Sequence, residues 1–293
     1  MSSESVKLGQ FELTIVSDGR FWLDGGSMYG VVPKVMWNKL TPADDFNRVE
    51  LGLNCLLIET PEGNVLIDTG IGDKLKDRFK EIYKMDRDIT FVESLNRKGF
   101  KPENIDFVIN THLHFDHCGG NTIKKDGKLI PTFPNAKYII QKQEWFDATN
   151  PNEKTKASYL KENFIPIKES GQLMLVHDKY EVLPGIKVFI TNGHTQGHQS
   201  VLIESGDKKA IYLGDLIPTA SHIKIPYIAA YDLFPLAVVE KKKEILEQAI
   251  KEKWLLVFEH DPKITFAYLI GKDGKQILEP VHNKNSKSQN PTH

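Results

Sequence analysis

The chain has 293 residues, 40% of them hydrophobic and 26% charged, which is enough to bury a substantial core and unlike a disordered or fibrous protein. A formal net charge of -1 excludes a global field that would draw it to nucleic acid or to an acidic membrane surface. Two cysteines are too few for a disulfide framework or a thiolate zinc module, and no run of eighteen apolar residues offers a membrane span.

The opening residues carry no basic segment followed by an apolar one, so a cytoplasmic protein is expected. FELTIVSDG (11–19), LNCLLIET (53–60) and NVLIDTG (64–70) read as strands, the last two flanking a hairpin turn at Pro61-Glu62-Gly63. Helical spacing follows in KLKDRFKEIYKM (74–85) and in ITFVESLNRKGF (89–100), where Phe91, Leu95 and Phe100 share a face. IDFVINT and AKYIIQ are short strands, and QEWFDAT is helical. GIKVFITNG, SVLIES and KKAIYLGDL are three more strands. PLAVVEKKKEILEQAIKEK (235–253) is the strongest helix, and its lysine run 241–243 reads as a solvated face. WLLVFEHD and the hairpin ITFAYLIGKDGKQILEPV close the fold, and the polar tail NKNSKSQNPTH is expected to fray.

Two strand-rich blocks separated by helices predict an α/β fold of two packed sheets with helices outside, in one domain spanning 1–293 with loose ends at 1–10 and 283–293. Loops at strand ends then carry the site.

Ten histidines in 293 residues predict about 0.2 in a random window of six, yet THLHFDHCGG places His112, His114 and His117 around Asp116. In an extended segment residues i and i+2 point the same way, so His112 and His114 grip one ion. Asp116 and His117 follow where the chain turns toward Gly119-Gly120, which aims them at a second point. Further ligands are available at strand ends: His194 in FITNGHTQGH, Asp215 in AIYLGDL and His260 in LLVFEHD. Five imidazoles and two carboxylates without a thiolate suit zinc, and also cobalt, manganese or iron. Burying such a cluster without a cation leaves costly unpaired polar groups, and a structural zinc usually stops at four ligands. Cys118 reads as a packed thiol, and His177, His282 and His293 as surface residues.

The series HLHFDH, GHTQGH, GD and EH resembles the metallo-beta-lactamase-fold hydrolases, over about residues 11–281. The resemblance implies a four-layer αβ/βα sandwich, two mixed sheets flanked by helices. It implies His112, His114 and His194 on a first metal, Asp116, His117 and His260 on a second, and Asp215 bridging. Asp68 matches the family's early aspartate, expected to orient a ligand histidine, and His198 is expected to help rather than ligate. No cysteine lies near Asp215, unlike the true beta-lactamases, and His114 stands where flavin-coupled di-iron members carry glutamate.

The stretches 17–37 and 214–235 are similar to the branch holding quorum-quenching N-acyl-homoserine lactonases and organophosphate (methyl parathion) hydrolases. This implies lactone opening by a hydroxide bridging two metal ions, with Asp116 passing a proton to the leaving alkoxide, and phosphotriester hydrolysis as the neighbouring alternative. An iron-dependent sulfur dioxygenase and a nuclease rank lower. A small-molecule substrate, a homodimer, and no nucleic-acid or membrane partner are expected. Several lactonases carry a tyrosine three residues after the bridging aspartate, where this chain has Pro218, leaving His222 or Tyr231 as replacements. Phe21, Trp22, Met28, Tyr29 and Trp37, with Ile223, Ile225, Tyr227 and Phe234, are expected either to line an apolar pocket or to serve as core and dimer contacts.

Overall fold

The structure is a computed structural model that describes residues 4–272 and 275–282. Residues 1–3, 273–274 and the expected tail 283–293, with His293, lie outside the described residues. The first sheet takes β1 (Ser5–Leu8), β2 (Phe11–Asp24), β3 (Arg48–Thr60), β4 (Gly63–Ile67) and β5 (Phe107–Ile109) in that order. A small hairpin of β6 (Thr122–Lys125) and β7 (Lys128–Pro131) follows, and β8 (Lys137–Gln141) and β9 (Leu173–Val176) complete the first sheet beside β5. The second sheet runs β10 (Tyr180–Leu183), β11 (Ile186–Ile190), β12 (Gln199–Ser205), β13 (Lys208–Tyr212), β14 (Leu255–Val257), β15 (Phe266–Lys272) and β16 (Lys275–Pro280). Both are mixed: β4, β5, β8 and β9 pair in parallel, as do β13 and β14, and the other pairs are antiparallel.

Alternation along the strands explains the layering, because successive side chains point to opposite faces. Leu56 and Ile58 of β3 join Val201 and Ile203 of β12 in the core between the sheets. Their neighbours Cys55 and Leu57 face the other way, onto Phe91 and Leu95 of a helix. Both faces of each sheet are therefore covered, giving the four-layer sandwich with two mixed sheets flanked by helices. The helices are α1 (Gly25–Tyr29), α2 (Lys34–Trp37), α3 (Asp77–Ile82), α4 (Phe91–Arg97), α5 (Phe115–Cys118), α6 (Lys142–Thr149), α7 (Ile165–Glu169) and α8 (Pro235–Glu252). Among them α4 opens on a capping box, in which Thr90 Oγ1 accepts from the Glu93 amide at 3.2 Å and Glu93 Oε2 accepts from the Thr90 amide at 2.8 Å. The helix expected over 74–85 contracts to α3, which buries none of its residues and so has no packing to extend it. Residues 5–8, expected in a loose end, instead pair with β2 and bury Leu8.

The lysine run on α8 also departs from expectation. Lys241 and Lys243 pair with Glu244 and Glu240 near solvent, but Lys242 is buried, because the helical period turns it to the same side as Val238, Ile245 and Ala249. Its Nζ donates to the carbonyls of Lys224 (3.0 Å) and Tyr227 (2.7 Å). Burial lowers the ammonium from its usual 10.5 to about 7, against a smaller opposing effect of Asp232. The unfolded chain then holds the extra proton between those values, so this group's contribution to stability rises with pH across that window. Lys242→Met is expected to cost about 2 kcal/mol near pH 7 by stranding the carbonyls, and more near pH 9, as read by urea unfolding at the two pH values.

Candidate metal centre

Parallel pairing sets the site. β4 and β5 lie side by side in one sheet and β13 and β14 in the other, and the chain leaving each of them carries chemistry: Asp68, His112, Asp215 and Glu259-His260. This is the carboxyl-end crevice where open α/β sheets bind ligands. His194 comes from the loop after β11, and α5 turns Asp116 and His117 away from His112 and His114. Gly214, at φ 53°, lets the chain reverse just before Asp215, in space where a Cβ would stand 2.7 Å from His198 Nε2.

Two groups of ligand atoms converge. His112, His114, His194 and Asp215 form one, and Asp116, His117 and His260 the other, each with atoms within 4.8 Å of one another. Asp215 stands between them: Oδ2 is 3.1 Å from His194 Nε2 and 3.5 Å from His117 Nε2, and Oδ1 is 3.2 Å from His260 Nε2. Nitrogen faces nitrogen at 3.1 Å from His194 to His114 and at 3.1 Å from His260 to His117. Among the described residues, His112 Nε2 and Asp215 Oδ1 find no hydrogen-bond partner although both are buried. Lone pairs aimed at one another and orphaned buried atoms fit a pair of cations and fit a hydrogen-bonded core poorly.

The far side of four of the five rings is tied back, as expected of metal-binding imidazoles. His194 Nδ1 meets Asp232 Oδ1 at 2.9 Å, His260 Nδ1 meets the Gly52 carbonyl at 2.8 Å, and His112 Nδ1 meets Thr111 Oγ1 at 3.1 Å. His117 Nδ1 faces two carboxylates, Asp68 at 3.1 Å and Glu259 at 2.9 Å. Asp68 sits at φ 56°, uncommon for a non-glycine residue, and is held by the Thr111 amide at 2.8 Å and the Thr111 hydroxyl at 2.6 Å. His198 is no member of either group; its Nε2 accepts from the Asp215 amide at 3.0 Å and its Nδ1 meets Thr191 Oγ1 at 2.6 Å.

Electrostatics divide the cluster. Burial and mutual repulsion hold His112 and His114 well below the usual imidazole range, so both are neutral donors of lone pairs. Burial opposes charge on His260 as well, but the Asp215 carboxylate outweighs it and pushes the ring up to about 9. His117 is likewise raised by Glu259 and Asp215 against burial. Burial works against the Asp215 anion, yet the rings of His117, His194 and His260 pull it well below the usual carboxylate range. Burial, then the Asp68 charge, raise Glu259 above the usual carboxylate range, against the opposing pull of His117.

A cavity of about 250 Å³ opens onto these groups, with His114, Asp116, His194, Asp215 and His260 at its floor. Met28 and Tyr231 line it as expected of pocket residues, together with Leu23, Leu51, Phe115 and Leu233. Other expected pocket residues lie elsewhere. Phe21 is buried edge-on against His260 at 5.6 Å, and Trp22 packs under Lys84 Nζ at 4.5 Å. Tyr29 stacks between Trp37 and His222, and its hydroxyl is spent on Thr41 and Ser221. His222 uses both ring nitrogens, on Thr219 Oγ1 and the Met28 carbonyl, and does not reach the cavity, so it cannot replace the tyrosine absent at Pro218. Trp37, Ile223 and Tyr227 are core residues, and Ile225 packs against that core, whereas Phe234 is exposed. The sequence gives no sign of Tyr83, Lys154, Thr155 or Ser158, which complete the wall and rim, nor of Asp232 and Glu144 behind the ligands. Glu259, also behind them, has a local signal, its place beside His260 in the EH pair.

An αβ/βα sandwich with paired histidine–aspartate groups at its strand ends defines a metal-dependent hydrolase. The family model of the metallo-beta-lactamase superfamily matches residues 48–260, and the chain belongs to that superfamily. An N-acyl homoserine lactonase of Bacillus cereus is 33% identical over 266 residues, 85% of this chain and 93% of the relative. Among solved structures, a probable metal-dependent hydrolase from Staphylococcus aureus is 31% identical with a TM-score of 0.89, covering 95% of this chain and 99% of that one. An N-acyl homoserine lactone hydrolase with N-hexanoyl-L-homoserine bound at its catalytic metal centre is 28% identical with a TM-score of 0.67, covering 90% and 95%. Among the described residues no helix is long and apolar enough to cross a membrane.

Proposed function

We propose that the chain opens lactone rings, N-acyl-homoserine lactones foremost, at a dinuclear centre of zinc. The carrying observation is an apolar-walled cavity ending on two ligand groups that share Asp215. Similarity to the Bacillus lactonases supports the substrate class. His112, His114 and His194 would hold the first ion, Asp116, His117 and His260 the second, and Asp215 both. Such ions supply Lewis acidity at the substrate oxygen and a water nucleophile active at neutral pH.

The chain's own residues do the rest. Leu23, Met28, Leu51 and Leu233 receive the acyl chain and exclude water, which strengthens the electrostatics on the cavity floor. Asp116 lies at the cavity wall with Oδ2 3.8 Å from both His117 Nε2 and His260 Nε2, placed to take the proton that the attacking water loses and hand it to the leaving alkoxide. Tyr231 and Tyr83 bring phenol side chains to the same space, and Tyr231 takes the part that Pro218 leaves open, polarising the carbonyl. Asp68 and His198 orient His117 and Asp215. Exposed Val31, Val35, Met36 and Phe46 supply an apolar face for a homodimer, to be checked by light scattering. Two buried free thiols suit a reducing cytoplasm.

A panel of N-acyl-homoserine lactones of several chain lengths, simple lactones, aryl phosphotriesters and a chromogenic beta-lactam tests the reading. The lactones are expected to give the highest kcat/KM. A preference for phosphotriesters by tenfold or more would move the assignment to the organophosphate branch.

A further inference from the structure

Asp232 belongs to neither ligand group, yet it is the residue on which the cavity wall and a ligand histidine meet. It is buried, with one oxygen on each side of a junction: Oδ1 is 2.9 Å from His194 Nδ1, and Oδ2 accepts from the Ala229 amide at 3.0 Å. The segment around it is stitched to the His194 loop by backbone bonds, Leu233 amide to His194 carbonyl at 3.1 Å and Phe234 amide to Gly193 carbonyl at 2.8 Å. The Ala230 amide bonds the carbonyl of Ser27, the neighbour of the lining residue Met28, at 2.8 Å. At its other end Lys242 pins the carbonyls of Lys224 and Tyr227. Ala229, Tyr231 and Leu233, all from this segment, line the cavity.

The chemistry follows from the tautomer. For His194 Nε2 to offer its lone pair toward Asp215 and His114, the ring must carry its proton on Nδ1, and Asp232 Oδ1 is the acceptor that holds it there. The same carboxylate holds the Ala229 amide, so rotation of the Asp232 side chain would release ligand and wall together. A group that joins two elements makes their equilibria interdependent, and the dependence is reciprocal.

We propose that Asp232 is the positioning residue for His194 and that its second oxygen couples occupancy of the first metal position to the order of the substrate wall 229–233. This rests on His194 being a metal ligand, as proposed above. Metal entering the first position then tightens the wall, and a bound acyl chain tightens the metal.

The test titrates metal-free protein with Zn²⁺ against a competing chelator for the wild type, Asp232→Ala, Asp232→Asn and His194→Ala, and follows hydrogen exchange of amides 229–233 with and without Zn²⁺. Asp232→Ala is expected to weaken one of two zinc equivalents by about 10- to 100-fold and leave the other unchanged. Zinc slows exchange at 229–233 in the wild type and ceases to do so in Asp232→Ala. Asp232→Asn, nearly isosteric and still able to accept from Nδ1, shows a smaller loss of the same sign and guards against a misfolded alanine variant. Wild-type affinity in both Asp232 variants, or zinc-dependent protection that persists in them, overturns the coupling. If His194→Ala also binds two equivalents normally, the ligand assignment itself fails, which separates the two outcomes.

Discussion

Asp215→Ala is expected to lower kcat/KM on an N-acyl-homoserine lactone by about 10³-fold or more and to leave at most one tightly held metal equivalent per chain. The carboxylate faces His194 of one ligand group and His117 and His260 of the other at 3.1 to 3.5 Å. Its loss removes the one charge shared by both positions and leaves the surrounding imidazoles to repel one another. A loss of transition-state stabilisation of several kcal/mol corresponds to the expected factor at about 1.4 kcal/mol per tenfold. Asp215→Asn keeps the volume and removes the charge, so a comparable defect identifies charge as the cause. Metal analysis and steady-state kinetics on both variants check the prediction.

Glu144→Ala is expected to destabilise the protein by about 4 kcal/mol, lowering the melting temperature by about 8 °C or more. The side chain is buried on α6, where three donors converge on it: the Leu113 amide at 2.8 Å, Tyr159 hydroxyl at 3.1 Å and Thr195 hydroxyl at 2.5 Å. Burial raises its pKa against those bonds. Leu113 lies between His112 and His114, and Thr195 follows His194, so one carboxylate braces every histidine of the first group. Alanine strands three donors in the interior and opens a cavity. Glutamine keeps the volume but sets an amide donor against a donor, so its loss is smaller and of the same sign. Thermal denaturation of the metal-free variants isolates the structural part from any change in metal binding.

What the sequence shows and hides follows from range. The spacing His112-x-His114-x-Asp116-His117 is local, and the alternation and turn that split it into two directions are read directly from neighbouring residues. The strands before Asp215 and His260 are equally plain, because each is an apolar run that ends abruptly at a polar group. The sheet pairing that brings these ends together is long-range, and it became legible through family resemblance. Asp232 and Glu144 carry no such signature: each reaches its histidine loop across more than thirty residues. The cavity wall is hidden for the same reason, and of the two roles open to these aromatics the core one applies to Phe21 and Tyr29. Phe21 and Tyr29 look like pocket aromatics by composition, yet strand alternation and stacking send them into the core. Tyr83 and Lys154 come from segments with no motif at all. Lys242 was hidden inside a run of lysines whose other members do face solvent.

Titrating chelator-treated protein with Zn²⁺ while following hydrolysis of N-hexanoyl-homoserine lactone is the most direct test of a dinuclear lactonase. Activity is expected to be absent without metal and to reach its plateau at two equivalents per chain. Full turnover in metal-free protein, or a plateau at one equivalent, would contradict it.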